Sequence, residues 1–565
     1  MIRRRPVLLA AAATAFLTGV IGAATPLASA QPTEEVTYLV LFDGTGADQA
    51  AKQAITKAGG TITETNTKIG YAYVRTTDRA FADAVAKSDA VAGVAKERTI
   101  GVAPKQRRAR ADQVEKLTVG QNAAKGKSAS DSPVKAQAGA VTPEPLANLQ
   151  WDMRQIGATA TGSYAKDRGS KGVRVGILDT GVDGTHPDIA PNFDKTLSRN
   201  FVTDMPDIDG PCEHPSCIDP VDEDDDGHGT HVASTIGSPI NGLGMAGVAP
   251  NVTLINIRAG QDSGYFFLKP TLDALTYAGD IGVDVVNMSY YVDPWLYNCT
   301  ANPKDSAAEQ AQQRVIRTAV QRAMNYARNH GVLPVSALGN EATDLNNPTF
   351  DDTSPDYPAG AAKERTIDNS CINVPTETRG VVGVSSTGPS TRKAYYSNYG
   401  TEQTDVAAPG GDVYDTVDNT RNIAGAILAA YPKNVAQAEG TLNPDGTPNN
   451  PAVIQSCKGT VCAYYQYLQG TSMASPHAAG VAALIVDRYG HRDGRHGLTL
   501  NPNRTERLLY ASAVPHACPQ PRTYHYTRIT PAGAVIEADH RCAGGVNDNG
   551  FYGHGIVNAY AAVTP

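Results

Sequence analysis

The serine at position 472 lies in a short motif that favours nucleophilic chemistry. It follows Gly470 and precedes apolar residues at helical spacing that extend to about Tyr489. The glycine allows close approach of a substrate, and a helix N-terminus offers unpaired N–H groups to a developing negative charge. Pro476 is expected in the first helical turn, where its missing N–H costs little. The same pattern also suits an ordinary Ser/Thr helix cap, so the serine alone decides nothing.

Two further stretches supply the partners that an acyl-transfer serine needs. Asp179 ends a β-branched run and precedes a glycine turn, which predicts a carboxylate at the tip of a buried strand. His228 stands between two glycines at the start of another apolar helical pattern. A histidine can take a serine proton near neutral pH, and an aspartate can hold that histidine in the required tautomer. Together with Ser472, these residues predict nucleophilic acyl transfer.

With all three motifs present, the chain resembles the subtilisin-like serine peptidases, whose triad follows the order Asp, His, Ser. The resemblance implies that Asp179 orients His228, that His228 acts as the general base, and that Ser472 is the nucleophile. Two neighbouring residues compete for these roles. His231 lies three positions further along the same helix, and Ser475 follows the serine motif. The resemblance assigns both of them a structural role.

The family pattern also implies an oxyanion hole and a substrate-binding edge. Asn340 follows Gly339 just after a predicted strand and matches the family's oxyanion-hole amide, with the Ser472 backbone N–H as second donor. Ser289 matches the edge that pairs with an extended peptide. Tyr290 and Tyr291 follow where compact members of the family have smaller residues. We therefore expect a narrowed or reshaped P1 pocket, and the family's broad specificity cannot be carried over.

The resemblance further implies a structural calcium site, whose oxygen shell would suit a hard cation. Its expected ligands are the side chains of Asp188 and Asn241 and the carbonyls of Pro239, Leu243 and Met245. Ordinary loop capping would explain the two side chains as well, and the family's N-terminal ligand has no clear match. A separate acidic run at residues 222–226 suits either a metal or a solvated loop.

The N-terminus and the composition predict a secreted protein. Residues 1–30 combine a basic start, a short apolar middle and a small-residue end, which is typical of a cleaved signal peptide. The alternative of a membrane anchor is disfavoured because glycines and a proline interrupt the apolar run. The 565-residue chain has a net charge of −8, which argues against nucleic acid as a partner. We expect an extracellular monomer without a membrane anchor.

The chain divides into regions of different composition. Residues 31–104 show a β-α-β-β-α-β order, which predicts a small α+β, ferredoxin-like domain. This domain resembles the subtilase propeptide, a folding assistant and inhibitor. Residues 105–146 are polar, without a hydrophobic period, and predict an exposed, protease-sensitive linker. Its basic run at 105–110 suits either a processing site or a solvated charged segment. Residues 147–565 form the expected peptidase domain.

The peptidase domain alternates strands and helices, which predicts a mainly parallel α/β sheet covered by helices on both faces. Strands are expected at 173–179, 253–257, 283–288, 332–338 and 381–384, and helices near 228–236, 269–280, 306–329 and 473–489. Ligands of such sheets bind beyond the carboxyl ends of the strands, where Asp179 is expected.

The eight cysteines predict disulfides in an oxidising compartment. Spacing alone allows 105 connectivities. Pairing of sequence neighbours is therefore a hypothesis, and a zinc cluster is disfavoured because no CxxC spacing occurs. The hypothetical pairs are Cys212 with Cys217, Cys299 with Cys371, Cys457 with Cys462, and Cys518 with Cys542. Each cysteine lies in a segment longer than a compact subtilisin needs.

These observations predict a secreted serine endopeptidase that hydrolyses peptide bonds through an acyl-enzyme and is made as a self-processing precursor. Its expected partners are protein or peptide substrates and its own propeptide. An alternative is a catalytically idle, secreted binding protein on the same fold, which the intact triad and Asn340 disfavour. An acid-active serine-carboxyl peptidase is a further alternative, but that class uses a glutamate where this chain has His228.

Overall fold

The computed structural model describes residues 35–97, 114–117, 142–494 and 497–564. The expected signal peptide, the basic run at 105–110 and most of the linker therefore lie outside the described residues. Within the described ranges, no helix has the length and apolar character needed to cross a membrane.

The first described unit is a four-stranded antiparallel sheet with two helices. Its elements are β1 (Val36–Phe42), α1 (Gln49–Lys57), β2 (Thr61–Asn66), β3 (Tyr71–Thr76), α2 (Phe81–Val85) and β4 (Val91–Lys96). Asp48 begins α1 by accepting a hydrogen bond from the Ala51 N–H at 3.0 Å. The strand order is β2-β3-β1-β4, which places the first and last strands side by side. This is the element order that the sequence predicts for a ferredoxin-like domain.

The remainder of the described chain is built around a seven-stranded sheet. The helices are α3 (Trp151–Gln155), α4 (His228–Gly237), α5 (Leu268–Asp280), α6 (Ala307–Asn329), α7 (Lys433–Ala438), α8 (Thr471–Tyr489), α9 (Pro502–Ser512) and α10 (Ala559–Val563), with 3-10 turns at Ser163–Ala165 and Ile423–Gly425. The strands are β5 (Arg174–Leu178), β6 (Arg199–Asn200), β7 (Thr253–Arg258), β8 (Val285–Met288), β9 (Leu333–Ala337), β10 (Phe350–Asp351), β11 (Arg365–Thr366), β12 (Val382–Thr387), β13 (Val406–Pro409), β14 (Ile427–Ala430), β15 (Val453–Lys458), β16 (Val461–Leu468), β17 (His491–Arg492), β18 (Leu498–Thr499), β19 (Thr523–Ile529) and β20 (Val535–Arg541).

The large sheet has the order β13-β12-β9-β8-β5-β7-β6, and every pairing within it is parallel. Successive side chains of a strand point to opposite faces. Val285 accordingly packs in the core that includes α4 and α8, whereas Val286 packs in the core that includes α5 and α6. The predicted α/β fold with helices on both faces of a mainly parallel sheet is confirmed.

The N-terminal sheet lies against α6. Leu39 and Leu41 of β1 share a buried apolar cluster with Val315 and Ile316 of α6. Arg322 of the same helix donates hydrogen bonds to the backbone carbonyls of residues 42 and 43, at 2.8 and 2.7 Å. The small domain therefore covers a helix face of the larger one with both apolar and polar contacts.

Four disulfides join the cysteines as the neighbour hypothesis paired them. They are Cys212–Cys217, Cys299–Cys371, Cys457–Cys462 and Cys518–Cys542. Two of them stabilise hairpins that the sequence analysis treated only as long insertions. Cys457 and Cys462 face each other across the β15–β16 turn, and the last pair closes the base of β19–β20. Such crosslinks limit the freedom of the unfolded loops.

The prediction for Pro476 was wrong. The helix α8 begins at Thr471, so the proline is its sixth residue and lies beyond the first turn. A proline there removes the hydrogen bond to the carbonyl four residues earlier, which belongs to Ser472. The hydroxyl of Ser289 donates to that carbonyl at 3.0 Å and replaces the missing bond.

Candidate active site

The predicted orienting carboxylate and the predicted base are in direct contact. Asp179 follows β5 at the carboxyl edge of the sheet, and His228 is the first residue of α4. The Asp179 Oδ1 lies 2.7 Å from His228 Nδ1, and the aspartate side chain is fully buried. Gly227 before the histidine has φ of +93°, and a Cβ there would lie 2.5 Å from the Tyr431 ring, so the turn requires glycine. The contact leaves His228 Nε2 directed at the cleft.

The predicted nucleophile and the predicted oxyanion donor converge on one oxygen atom. Ser472 is the second residue of α8, and Asn340 follows β9. The Ser472 hydroxyl donates to Glu115 Oε1 at 2.6 Å, and the Asn340 amide donates to the same oxygen at 2.9 Å. The second oxygen of Glu115 lies 3.5 Å from His228 Nε2. A carboxylate from the linker therefore occupies the point at which the three side chains meet.

The position of Asn340 is fixed by the start of α8. Its Oδ1 accepts hydrogen bonds from both the backbone N–H and the hydroxyl of Thr471, each at 2.9 Å. The Thr471 hydroxyl also accepts from the Gly339 N–H at 3.0 Å. Because the oxygen of the Asn340 amide is held in this way, its NH₂ group is turned towards the cleft.

The charges around His228 determine its protonation. Burial lowers its pKa, but the negative charges of Asp179, Glu115 and Asp226 outweigh burial and raise the pKa to about 10. Asp179 contributes the most to this rise and Glu115 contributes less, so in this arrangement the imidazole is held in its protonated form at neutral pH. A protonated histidine cannot accept a proton from a serine hydroxyl.

The linker segment 114–117 docks along strand β16. Gln469, just after that strand, donates from its side chain to the Val114 carbonyl at 3.0 Å. Lys116 pairs with Leu468 in an antiparallel bridge. Its ammonium lies 3.5 Å from a carboxylate oxygen of Asp226 and 3.5 Å from one of Glu439. The linker was expected to be exposed along its whole length, whereas this short segment is half-buried in the cleft.

His231 and Ser475, the two residues that compete for the catalytic roles, make hydrogen-bond contacts away from the cleft. His231 lies within 3.1 Å of the backbone carbonyls of Ile427 and Gln466, and burial lowers its pKa to about 3. The hydroxyl of Ser475 donates to Asn287 Oδ1 at 2.6 Å. Both side chains are fully buried and tie α4 and α8 to neighbouring strands.

The expected substrate-binding residues line the cleft beside Ser472. Ser289, Tyr290, Tyr291 and Gly339 all contribute to its wall. The Tyr290 ring stacks on Phe266 with centroids 4.1 Å apart, and the Tyr291 hydroxyl donates to Asp356 at 2.5 Å. The two tyrosines are thus anchored in the wall by packing and by a hydrogen bond. Their bulk contributes a fixed aromatic wall.

The residues expected to bind calcium lie together. Asp188 Oδ1 accepts from the Asn241 amide at 3.0 Å, and its Oδ2 accepts from the Met245 N–H and the Tyr465 hydroxyl, at 3.1 and 3.0 Å. The Asn241 oxygen accepts from the Leu243 N–H at 2.8 Å. In this arrangement the Asn241 side chain is a hydrogen-bond donor to Asp188. The loop from Pro239 to Met245 carries the remaining expected ligands as backbone carbonyls.

Glu144 adds a second carboxylate that the sequence analysis missed. One of its oxygens accepts from the Gly242 N–H at 3.0 Å, whereas its buried Oε2 has no hydrogen-bond partner among the described residues. Burial raises the pKa of both Glu144 and Asp188, the latter to about 8, and the negative charge of Glu144 adds to the rise at Asp188. Two buried carboxylates and an unpartnered oxygen beside a loop of carbonyls fit a hard cation.

The two missed residues have weak sequence signals. Glu115 and Glu144 both lie in a polar segment without hydrophobic period, where charged residues are usually solvated. The position of Glu144 between two prolines shortly before Trp151 was the available hint that the chain is ordered there. Nothing in the sequence around Glu115 marks it as different from its charged neighbours.

Comparison with known proteins identifies relatives that match more than half of the chain. The model of the subtilase family matches residues 170–555. The thermophilic serine proteinase of Bacillus sp. (strain AK1) is 29% identical over 328 residues, which cover 58% of this chain and 55% of that protein. Subtilisin DY of Bacillus licheniformis is 28% identical over 325 residues, which cover 57% of this chain and 80% of that protein. The chain thus spans little more than half the length of the first of these relatives.

Solved structures are similar over most of the described chain. The epidermin leader peptide processing serine protease of Staphylococcus aureus superposes with a TM-score of 0.58 at 21% identity, covering 94% of this chain and 98% of that one. Fervidolysin of Fervidobacterium pennivorans, a keratinolytic enzyme related to subtilisin, gives a TM-score of 0.52 at 20% identity, covering 94% and 61%. At these identities the likeness concerns the fold.

Proposed function

The chain belongs to the subtilase family of serine peptidases, and from that membership we propose that it is a secreted serine endopeptidase made as a self-processing precursor. One observation carries the proposal. A single oxygen atom, Glu115 Oε1, accepts hydrogen bonds from both Ser472 and Asn340. A carbonyl group attacked by Ser472 must lie beside that hydroxyl, and the oxyanion that forms on it needs a donor such as the Asn340 amide within reach.

The proposed chemistry assigns one role to each side chain. Ser472 attacks the carbonyl carbon of the scissile peptide bond, and His228 Nε2 takes the hydroxyl proton. The carboxylate of Asp179, 2.7 Å from His228 Nδ1, fixes the tautomer and stabilises the imidazolium that forms. His228 then returns the proton to the leaving amine, and water hydrolyses the acyl-enzyme by the same steps in reverse order.

Two donors stabilise the tetrahedral intermediate in this scheme. One is the Asn340 amide, which is held by Thr471 with its NH₂ group towards the cleft. The other is the Ser472 backbone N–H at the start of α8, where helix geometry leaves N–H groups without intrahelical partners. Because both donors are positioned before substrate binds, little reorganisation is needed during the reaction.

The docked linker supports a latent precursor. Glu115 presents a side-chain carboxylate to the nucleophile and to the oxyanion donor, and its charge contributes to the raised pKa of His228. Lys116 secures the segment through two acidic side chains, Asp226 and Glu439. We expect the enzyme to remain inactive until this segment leaves. The N-terminal domain, which packs on α6, would act as folding assistant and inhibitor in the same precursor.

Calcium would serve stability in this proposal. Subtilases commonly bind structural calcium, and Glu144, Asp188 and the carbonyls of residues 239–245 supply an oxygen-rich environment for it. When bound, the ion would neutralise two buried carboxylates. No chemical step of the proposed mechanism depends on it.

The precursor itself provides the test. Expressed in a host that lacks other secreted peptidases, the intact sequence should yield two fragments, separated by a cut between residues 101 and 146. The Ser472→Ala protein should accumulate uncut apart from loss of the signal peptide. Ser512→Ala, a serine at the end of α9 away from the cleft, serves as the matched control and should be processed normally.

Two outcomes would count against the proposal. If Ser472→Ala is cut at the same junction, another peptidase makes the cut, and the basic run at 105–110 becomes the better candidate site. If neither protein is cut and the separately purified peptidase domain hydrolyses no peptide, the alternative of an idle binding protein on the same fold replaces the enzyme.

A further inference from the structure

Two acidic side chains from distant parts of the chain face the same point beside the cleft. Asp226 lies two residues before His228, and Glu439 directly follows α7, between β14 and β15. The ammonium of Lys116 lies 3.5 Å from Asp226 Oδ2 and 3.5 Å from Glu439 Oε1. The docked linker therefore places a positively charged side chain between the two acids.

Contacts within the peptidase domain hold both acids in place. Asp226 Oδ1 accepts a hydrogen bond from the His228 backbone N–H at 3.1 Å, whereas its Oδ2 faces the ammonium. The buried hydroxyl of Tyr431 lies 3.1 Å from Glu439 Oε1 and 3.2 Å from the Asp226 carbonyl oxygen. Burial, and after it the negative charges of Glu439 and Asp226, raise the pKa of Tyr431 well above its usual value, so the hydroxyl remains a donor. The two acids are thus positioned by more than the linker.

The segment that carries Lys116 lies on the end of β16 as an extended peptide would. The backbone N–H of Gln469 donates to the Glu115 carbonyl at 3.4 Å, and its side chain donates to the Val114 carbonyl at 3.0 Å. Lys116 pairs with Leu468 in an antiparallel bridge. Proteins bind extended peptides through main-chain pairing of this kind, and pockets for the side chains then give specificity. A substrate that runs along the same path in the same direction would bring a residue after the attacked carbonyl to the position of Lys116.

The charge beside the cleft changes when the linker leaves. While the linker is docked, the Lys116 ammonium faces two carboxylates, and only 10% of the Asp226 side chain and 20% of the Glu439 side chain are exposed. Water screens partly buried charges less than exposed ones, so the attraction between such groups is stronger. Departure of the linker removes this ammonium, and a basic side chain of a substrate could take its position.

We propose that Asp226 and Glu439 form a subsite that selects substrates with a lysine or arginine shortly after the scissile bond. This rests on the proposed peptidase function and names its substrate class, which is proteins or peptides with a basic residue on the leaving side of the cut. A hydrogen bond to a charged group commonly contributes enough to change binding about tenfold. We therefore expect lysine and arginine to be favoured about tenfold over glutamine at one position after the cut.

A map of the sites cut by the processed enzyme tests the subsite. The probe is a peptide library made by cutting a proteome after glutamate, which leaves lysine and arginine within the peptides, and mass spectrometry identifies the new ends. The parent enzyme should show basic residues enriched at one position after the cut. Glu439→Gln removes one carboxylate charge and should reduce this enrichment severalfold. Glu439→Lys supplies an ammonium to Asp226 and should abolish it.

The matched control is Glu402→Gln, the same substitution at an exposed carboxylate that does not line the cleft, and it should keep the preference of the parent. Raising the ionic strength should weaken the enrichment in the parent itself, because the preference is carried by charge. This second measurement needs no variant and remains decisive if the Glu439 variants fold poorly.

Several results would overturn the subsite. They are a map in which basic residues are not enriched after the cut, enrichment that is equal in the parent and both Glu439 variants, equal losses in Glu402→Gln and Glu439→Gln, and enrichment that is indifferent to salt. Each of these still shows a peptidase that cuts peptides, so the proposed function would stand. If the processed protein cuts no peptide at all, the proposed function fails and the subsite falls with it.

Discussion

The Ser472 hydroxyl donates a hydrogen bond to the side chain of Glu115 at 2.6 Å, although 357 positions separate the two residues in the chain. The same Glu115 oxygen also accepts a hydrogen bond from the Asn340 amide. A carboxylate oxygen bound in this way resembles the negatively charged oxygen of the tetrahedral intermediate that the site would stabilise during catalysis. If the proposed function holds, this contact would explain how the catalytic side chains can be in place in a precursor without acting on it.

The first prediction concerns the charge of Glu115. The pKa of His228 is raised to about 10, so its contact with the Glu115 carboxylate persists at neutral pH and weakens as the pH rises through 10. Cleavage of the precursor into its two fragments should therefore become faster as the pH rises into the alkaline range. Glu115→Gln removes one negative charge and should shift this acceleration to lower pH, as measured by the rate of precursor loss on gels.

The matched control for that variant is Glu402→Gln, an exposed carboxylate that does not line the cleft. It should follow the pH profile of the parent. Identical profiles for the parent and Glu115→Gln would show that the linker carboxylate does not restrain the active site.

The second prediction concerns Asn340. Asn340→Ala removes one of the two proposed oxyanion donors and should lower kcat by about a hundredfold to a thousandfold, the magnitude known for the corresponding donor of subtilisin itself. KM should change much less, because the donor acts mainly in the transition state. Steady-state kinetics of the processed enzyme on a peptide substrate would measure both. A large rise in KM with unchanged kcat would assign Asn340 to substrate binding instead.

The sequence was sufficient to predict the motif-bearing elements. Asp179 follows a strand, and His228 and Ser472 lie in the first turn of helices. Both kinds of element have a regular apolar pattern, and local periodicity suffices to locate them. The neighbour hypothesis for the cysteines gave the pairs seen in the structure because each pair closes a hairpin or an insertion.

Other features depend on contacts that no local pattern encodes. Glu115 reaches Ser472 only because the linker folds back along β16. Glu144 reaches the loop at Gly242 from 98 positions away. Pro476 was placed in the first turn because a local rule favours proline there. Its actual position is compatible with the helix because Ser289, from a distant strand, satisfies the freed carbonyl.

The third prediction concerns calcium at Asp188. Removal of calcium with a chelator should lower the Tm of the Ser472→Ala precursor, and added calcium should restore it, because a ligand that binds only the folded state stabilises that state. In Asp188→Asn the difference in Tm between chelator and added calcium should be smaller, because the contribution of the Asp188 site is lost. A Tm that is indifferent to chelator and calcium in both proteins would refute calcium binding at this site.

The fourth prediction concerns a buried ion pair network beside the Cys299–Cys371 disulfide. Arg365 is fully buried and donates to Asp305 at 2.8 Å and to Asp351 at 2.5 Å. Arg365→Met leaves buried carboxylates short of a charge partner and should lower the free energy of unfolding by about 3–5 kcal/mol. Denaturant unfolding of the Ser472→Ala background gives the value.

The exposed Arg504→Met is the control for that measurement and should change the unfolding free energy by less than about 0.5 kcal/mol. Equal effects of the two substitutions would mean that the network around Arg365 contributes no more than a surface charge.

The central claim is that Ser472 is an activated nucleophile, and labelling with a fluorophosphonate tests it most directly. The reagent forms a stable bond only with a serine whose proton a neighbouring base can accept. The account predicts that the processed protein gains one label, that mass spectrometry of its peptides places the label on Ser472, and that Ser472→Ala takes up none. A processed, folded protein that remains unlabelled, or that carries the label on another serine such as Ser475, would contradict the account.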